Sequence, residues 1–289
     1  MIGKVVKGVG GFYYVSDGKN VIMGNARGIL KRHKDVLVVG DLVEYEIRKE
    51  DGDCIITRVL PRKNKLPRPP VSNLDALVIV FAAAHPKVNF YAVDRMCAVC
   101  ECYGLDVMIA VTKTDLADDD EIRDLIAPYK DVYPVYPVSS RSGIGIGALR
   151  RGLEGKSTAL AGPSGVGKST LLNKLLGRES AETGDISEKT QRGKHTTRHV
   201  EIFSLDPDTY VYDTPGFTSL DLPKDVDLMK LRTLFREFRT FDVECRYGDC
   251  MHINEPDCGV KQAVEDGKIH QSRYQSYLNM YDEVKKCQR

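Results

Sequence analysis

The sequence predicts a multi-domain chain: an all-β barrel first, then an α/β domain built on a parallel sheet, then a mainly α module. Three observations predict it. Short β-rich runs punctuated by Gly, Asp and Asn turns fill the stretch before Pro61. From Asn73 the pattern becomes continuous apolar strands alternating with helical spacing, centred on Gly162-Pro163-Ser164-Gly165-Val166-Gly167-Lys168-Ser169. Beyond Leu220, four soft metal ligands lie close together between two helical patterns. At 289 residues the chain exceeds one typical domain, and 42% hydrophobic residues suffice for separate cores. The net charge of +1 means that any basic surface must be local. Met1-Ile2-Gly3-Lys4 runs straight into a strand pattern, so no signal peptide is expected. The apolar run Ala76–Ala84 is too short to cross a bilayer. Eight cysteines without a secretory signal point to reduced thiols or metal ligands and a cytoplasmic location.

In the first domain, strands are predicted at Gly3–Val9, Phe12–Ser16, Val21–Gly24, Val36–Ile47 and Cys54–Leu60. That number in that length fits an OB-type barrel, a fold that often binds oligonucleotides. Val39-Gly40-Asp41-Leu42-Val43 resembles the corresponding turn of S1-like barrels. Arg27, Lys31, Arg32, His33 and Lys34 on one loop, with Phe12, Tyr13 and Tyr14 nearby, offer charge and stacking surfaces for RNA. The stretch Pro61–Pro70 alternates proline with basic residues and reads as a semi-rigid, basic tether.

The α/β domain opens with a buried strand over Leu74–Ala84, a helix over Phe90–Tyr103 and a second buried strand over Asp106–Thr112. Cys97, Cys100 and Cys102 do not share one side of that helix and read as core residues. The second strand ends in Thr112-Lys113-Thr114-Asp115. This resembles the guanine-recognition motif N-K-x-D of GTPases. Asp115 would accept from guanine N1–H and the 2-amino group, and the Lys113 stem would cover the base. Thr112 replaces the asparagine and removes an amide that normally braces the loop. A strand over Val135–Val138 leads to Ser139-Ser140, in the place of the weak S-A-K/L motif, where backbone N–H meets guanine O6.

Next comes the octapeptide itself, matching G-x-x-x-x-G-K-S/T at every fixed position. The strand Ser157–Ala161 precedes it and a helix from Thr170 follows, which is the context a phosphate-binding loop needs. Backbone N–H groups at a helix N-terminus favour phosphate oxygens. Lys168 would neutralise β- and γ-phosphates, and the Ser169 hydroxyl would hold Mg²⁺. Downstream lies Gly193-Lys194-His195-Thr196-Thr197-Arg198-His199. A threonine here resembles the switch I threonine that coordinates Mg²⁺, with Thr197 favoured and Thr196 as alternate. The strand Thr209–Tyr212 then delivers Asp213-Thr214-Pro215-Gly216, a D-x-x-G switch II motif. Asp213 would reach Mg²⁺ through water, and the Gly216 N–H would bond the γ-phosphate.

The C-terminal ligand set is Cys245-x4-Cys250-x-His252-x5-Cys258, three thiolates and one imidazole suited to a structural Zn²⁺. Helices are predicted on either side, over Leu228–Thr240 and Val260–Tyr281. Tyr274, Tyr277, Leu278 and Tyr281 share a face expected to pack in a core.

In this chain the guanine motifs precede the phosphate loop and the switches follow it, the reverse of the Ras-like order. This resembles the circularly permuted GTPases, and among them the RsgA/YjeQ family of ribosome-small-subunit-dependent GTPases. The resemblance covers essentially the whole chain. It implies domains at 1–62 (OB-fold, RNA-binding), 63–72 (linker), 73–220 (permuted GTPase) and 221–289 (zinc-binding, helical). It implies a monomer that binds GTP and GDP through Thr112–Asp115, Ser139, Ser140, Gly162–Ser169, Thr170 and Gly216. Mg²⁺ would sit on Ser169, Thr197 and Asp213, and Zn²⁺ on Cys245, Cys250, His252 and Cys258. It also implies binding to the small ribosomal subunit and its 16S rRNA, with no membrane partner, and GTP hydrolysis coupled to late subunit assembly. Phe217 stands where Ras-like enzymes place a glutamine, so the catalytic group must come from elsewhere, and His195 is the candidate. A P-loop metabolite kinase, or an RNA-binding protein with a vestigial nucleotide site, are the alternatives. Switch II runs almost directly into the C-terminal module, which is therefore expected to respond to nucleotide, whereas the tethered barrel is not.

Overall fold

The computed structural model describes residues 1–27, 37–48, 52–177, 200–214, 217 and 220–288. The described residues fall into two compact units. One comprises residues within 1–77, 146–161 and 167–218; the other, residues within 78–145, 162–166 and 219–289.

In the first unit, strands β1 (Ile2–Val9), β2 (Phe12–Ser16), β3 (Val21–Ala26), β4 (Leu42–Ile47) and β5 (Cys54–Val59) close in the order β1-β2-β3-β5-β4-β1. The β3–β5 pair is parallel and the others antiparallel, so this is a closed five-stranded OB-type barrel. Val5, Val15, Val43, Tyr45, Cys54 and Ile56 fill it. The predicted strand over 36–47 is shorter, because Gly40 takes φ +99° and the following Asp41 turns fully inward. There Asp41 accepts from the Val38 N–H, from the Ser72 hydroxyl and twice from the Arg62 guanidinium. The proline-rich stretch is no open tether. Its residues pair as a hairpin, β6 (Lys65–Pro67) with β7 (Pro70–Ser72), and Leu66 and Val71 are buried. Apolar side chains that alternate with the prolines supply the burial that composition alone hid.

The α/β elements follow as β8 (Ala76–Ala82), α1 (Phe90–Tyr103), β9 (Asp106–Thr112), α2 (Asp119–Ile126), β10 (Val135–Pro137), α3 (Ile146–Leu153), β11 (Ser157–Ala161), α4 (Lys168–Leu175), β12 (Glu201–Asp206) and β13 (Thr209–Asp213). The order β10-β9-β8 belongs to the second unit, with β10 and β9 parallel. Asn89 caps α1 by accepting from the Ala92 N–H, and Gly104 ends it in the left-handed region. In the first unit β11 pairs parallel with β13, and β12 joins β13 antiparallel. The barrel continues this sheet. After β1 leaves β4, its Lys7 pairs with Glu201 of β12, past an irregularity between Val5 and Lys7 that redirects the strand.

The C-terminal elements are α5 (Leu228–Arg232), α6 (Phe238–Asp242), α7 (Gly259–Glu265) and α8 (Gln271–Cys287). Each helix predicted here is split in two. Between α5 and α6, Thr233 and Leu234 donate three residues back, which tightens the turn and ends the α-helix. Between α7 and α8, Gly267 takes φ +72° and His270 caps the new helix. Phe235, Phe238, Tyr277 and Met280 make a core that includes Ala98 of α1. Cys97 and Cys100 are fully buried, as core residues should be.

Candidate functional site

The phosphate-binding loop runs from a fully buried strand, β11, into the N-terminus of α4. Three of its residues need glycine. Gly162, Gly165 and Gly167 have φ of +143°, +81° and +94°. At Gly162 a Cβ would also lie 2.1 Å from the Val80 carbonyl oxygen, so no side chain fits. Pro163, Ser164, Gly165 and Ser169 are exposed, while Val166 points inward. Gly167, Lys168, Ser169 and Thr170 open α4 in the first unit, where Asp213 ends β13. Burial lowers the Lys168 ammonium below its usual range, and the Asp213 carboxylate opposes this, so the two charges lie within electrostatic reach. The Ser169 hydroxyl and the Asp213 carboxylate are hard oxygen donors, the kind that suits Mg²⁺.

The second unit holds the residues of the candidate guanine motif. Thr112 is 2% exposed, and its hydroxyl donates to the Val166 carbonyl of the phosphate loop at 2.5 Å. The Phe81 carbonyl lies 3.2 Å from the same oxygen. The hydroxyl therefore supplies the brace that loss of an amide was expected to remove. Lys113 sits in the left-handed region at φ +57°, and its Nζ donates to the carbonyls of Gly165 and His85. Thr114 opens a short 3₁₀ turn that includes Asp115, whose carboxylate is exposed. One of its oxygens accepts from the buried Ser139 hydroxyl at 2.6 Å. Ser139 thus orients the carboxylate, a role beyond the backbone contact read from sequence, and Ser140 follows half-buried.

His195, Thr196, Thr197, Pro215 and Gly216 lie outside the described residues. Phe217 is fully buried, which suits a ring that can neither orient water nor take a proton.

Cys245, Cys250, His252 and Cys258 come together with all ligand atoms within 4.8 Å of one another. Cys245 Sγ lies 3.8 Å from Cys258 Sγ, and His252 Nδ1 lies 3.6 and 3.4 Å from those sulfurs. A tetrahedral Zn²⁺ with Zn–S of about 2.3 Å and Zn–N of about 2.0 Å needs ligand separations of roughly 3.5–3.8 Å. The set fits. Burial pushes the Cys250 thiol up to about 12 and raises Cys258, so thiolates here call for a cation. Burial lowers His252, keeping the imidazole neutral as a ligand must be. The Tyr274 and Tyr277 hydroxyls donate to the carbonyls of His252 and Met251, each at 2.7 Å, and hold the ligand loop. The tyrosine face of α8 is indeed packed, with Tyr277 fully buried.

An OB-type barrel, guanine motifs that precede a phosphate loop, and a Cys/His cluster define a circularly permuted GTPase. The structure of YjeQ from Thermotoga maritima is similar, with a TM-score of 0.83 at 34% identity over 98% of each chain. That of YloQ, described as a circularly permuted GTPase, gives 0.80 at 33% identity over 99% of this chain and 95% of that one. A family model described as RsgA GTPase matches residues 59–223, and one described as RsgA N-terminal domain matches residues 2–56. The chain is 44% identical to the small ribosomal subunit biogenesis GTPase RsgA of Alkaliphilus metalliredigens, covering 99% of each. It is 42% identical to the protein of the same name from Caldanaerobacter subterraneus subsp. tengcongensis, covering 98% of this chain and 95% of that one. This chain belongs to the RsgA GTPase family. Among the described residues, no helix is long and apolar enough to cross a membrane.

Proposed function

We propose that this protein binds the small ribosomal subunit through its 16S rRNA and couples Mg²⁺-dependent GTP hydrolysis to a late step of subunit assembly. The observation that carries the nucleotide half is the braced guanine loop: Asp115 oriented by Ser139, Lys113 and Thr112 tied to phosphate-loop carbonyls. A kinase pocket for adenine has no use for an exposed carboxylate held this way, because adenine lacks the N1–H and 2-amino donors. The ribosomal half rests on the relatives' names and on the barrel.

In this reading Asp115 selects guanine, the Ser140 backbone meets O6, and the loop Gly162–Ser169 with Thr170 receives the phosphates. Lys168, whose ammonium form Asp213 favours against burial, would balance the charge that develops during phosphoryl transfer. Mg²⁺ bound at Ser169, Thr197 and Asp213 would supply further neutralisation of the phosphate oxygens. Gly216 would donate its N–H to the γ-phosphate, and His195 would orient or deprotonate the attacking water. Zn²⁺ on Cys245, Cys250, His252 and Cys258 would act in folding alone, since all four positions are filled by protein. The functional division remains 1–62, 63–72, 73–220 and 221–289, and the protein acts as a cytoplasmic monomer.

The test is the GTPase rate with and without purified small subunits, run beside ATP. Stimulation by the subunit and preference for GTP are expected. Equal binding of ATP and GTP by calorimetry overturns the nucleotide reading, and a rate indifferent to subunits overturns the ribosomal one. Replacing His195 with Ala is expected to slow stimulated turnover by roughly 10²-fold while sparing GTP affinity.

A further inference from the structure

One row of side chains crosses from the barrel to the residue read as the magnesium carboxylate. Lys7 of β1 stands opposite Glu201 of β12, and Glu201 stands opposite Asp213 of β13. On its other side Lys7 stands opposite Tyr14, and Tyr14 opposite Met23. Residues directly opposite in a ladder project to one face, with Cβ atoms roughly 5 Å apart. All of these residues belong to the same compact unit.

The charges along the row explain why Lys7 matters. Glu201 and Asp213 are like charges in adjacent strands, an arrangement that costs stability unless it is compensated. Compensation comes from both ends. Lys168 lies within electrostatic reach of Asp213, and Lys7 Nζ lies 3.1 Å from Glu201 Oε1. The Lys7 and Glu201 side chains are 34% and 30% exposed, so the pair is screened only in part.

We propose that Lys7 and Glu201 form a positioning pair for the metal end of the nucleotide site, with the barrel's lysine setting the charge beside Asp213. This rests on the reading of Asp213 given above. While Lys7 holds Glu201, the row adds no net charge next to the metal residue. Without Lys7, a bare carboxylate one strand away attracts the cation. Without Glu201, a bare ammonium repels it. The two losses therefore act in opposite directions, which mere damage to the sheet cannot do.

The experiment uses the full chain with a fluorescent GDP analogue, titrated with Mg²⁺ at low and high salt. Lys7→Met is expected to lower the Mg²⁺ concentration for half-saturation by about three- to tenfold at low salt, as a unit charge near a divalent ion should. Glu201→Gln is expected to raise it by a similar factor. The double variant should return to within about twofold of wild type, and Lys7→Arg should match wild type. All shifts should shrink at high salt. Shifts of the same sign in the two single variants, or none, with GDP still bound at saturating Mg²⁺, overturn the proposal. Wild-type GDP binding that ignores Mg²⁺ overturns the underlying reading of Asp213, and the proposal with it.

Discussion

At the scale of single residues, the guanine loop shows how a departure from a motif can be read correctly and still mislead. Thr112 lacks the asparagine amide, but its hydroxyl reaches a carbonyl that lies 54 residues further on. No local pattern announces a partner at that distance. The consequence is testable: Thr112→Val leaves a buried carbonyl unpaired, at a cost of about 1–2 kcal/mol. GDP affinity should fall by roughly tenfold by calorimetry, while Thr112→Asn should restore it. Asp115→Asn should shift preference from guanine towards xanthine nucleotides, read by competition binding. Both outcomes depend on residues whose types were legible in the sequence; the Ser139 hydroxyl on Asp115 was not, because it needs the ends of β9 and β10 side by side.

Elements tell a similar story. Strand periodicity located the barrel strands closely, since each buries alternate side chains, as Val5, Val15 and Val43 show. It overran at Leu37–Val39, where a buried aspartate and a left-handed glycine stop the strand, and nothing in hydrophobic pattern records either. One charge on β1 has a pH signature. Burial lowers Lys4 to about 8, against partial relief from Asp75, and its Nζ donates to the Ser157 hydroxyl at 2.8 Å above the Tyr210 ring. The unfolded chain keeps its lysine pKa near 10.5, so between these values it binds more protons than the fold. Stability must then rise with pH through that window. The gain is on the order of 1–3 kcal/mol. Denaturant unfolding followed from pH 7.5 to 10 should show it for wild type, and Lys4→Met should flatten that part of the profile. A wild-type curve that falls throughout would argue against the buried ammonium.

The whole molecule departs furthest from what linear order suggests. In sequence the Asp213–Gly216 motif leads directly into the C-terminal residues, yet contacts that fix those residues are with α1. Arg273 of α8 donates to Asp94 of α1 at 2.8 Å and to Glu237 at 2.7 Å, and both Arg273 and Asp94 are essentially inaccessible to water. Arg236 and Arg239 reach Glu101, and Arg95 reaches Glu283. Breaking a buried pair by removing one partner costs about 3–5 kcal/mol. Arg273→Met should therefore lower the melting temperature of the whole C-terminal module. Cys250→Ser, or removal of Zn²⁺ by a chelator, should loosen the same module while sparing GDP binding, seen by circular dichroism beside calorimetry. A lysine or arginine in a helix pattern reads as a solvated charge, and only the fold reveals that Arg273 is a core residue. The barrel, read as tethered and remote from the switches, instead shares a ladder with β12. That seam also protects the protein from itself. Cut away residues 1–62 and Glu201 of β12 loses Lys7, its ladder partner on the outer side, which leaves that edge open to strands from other copies. The shortened chain should show more concentration-dependent association in sedimentation velocity than the intact chain, so the barrel doubles as a guard against aggregation.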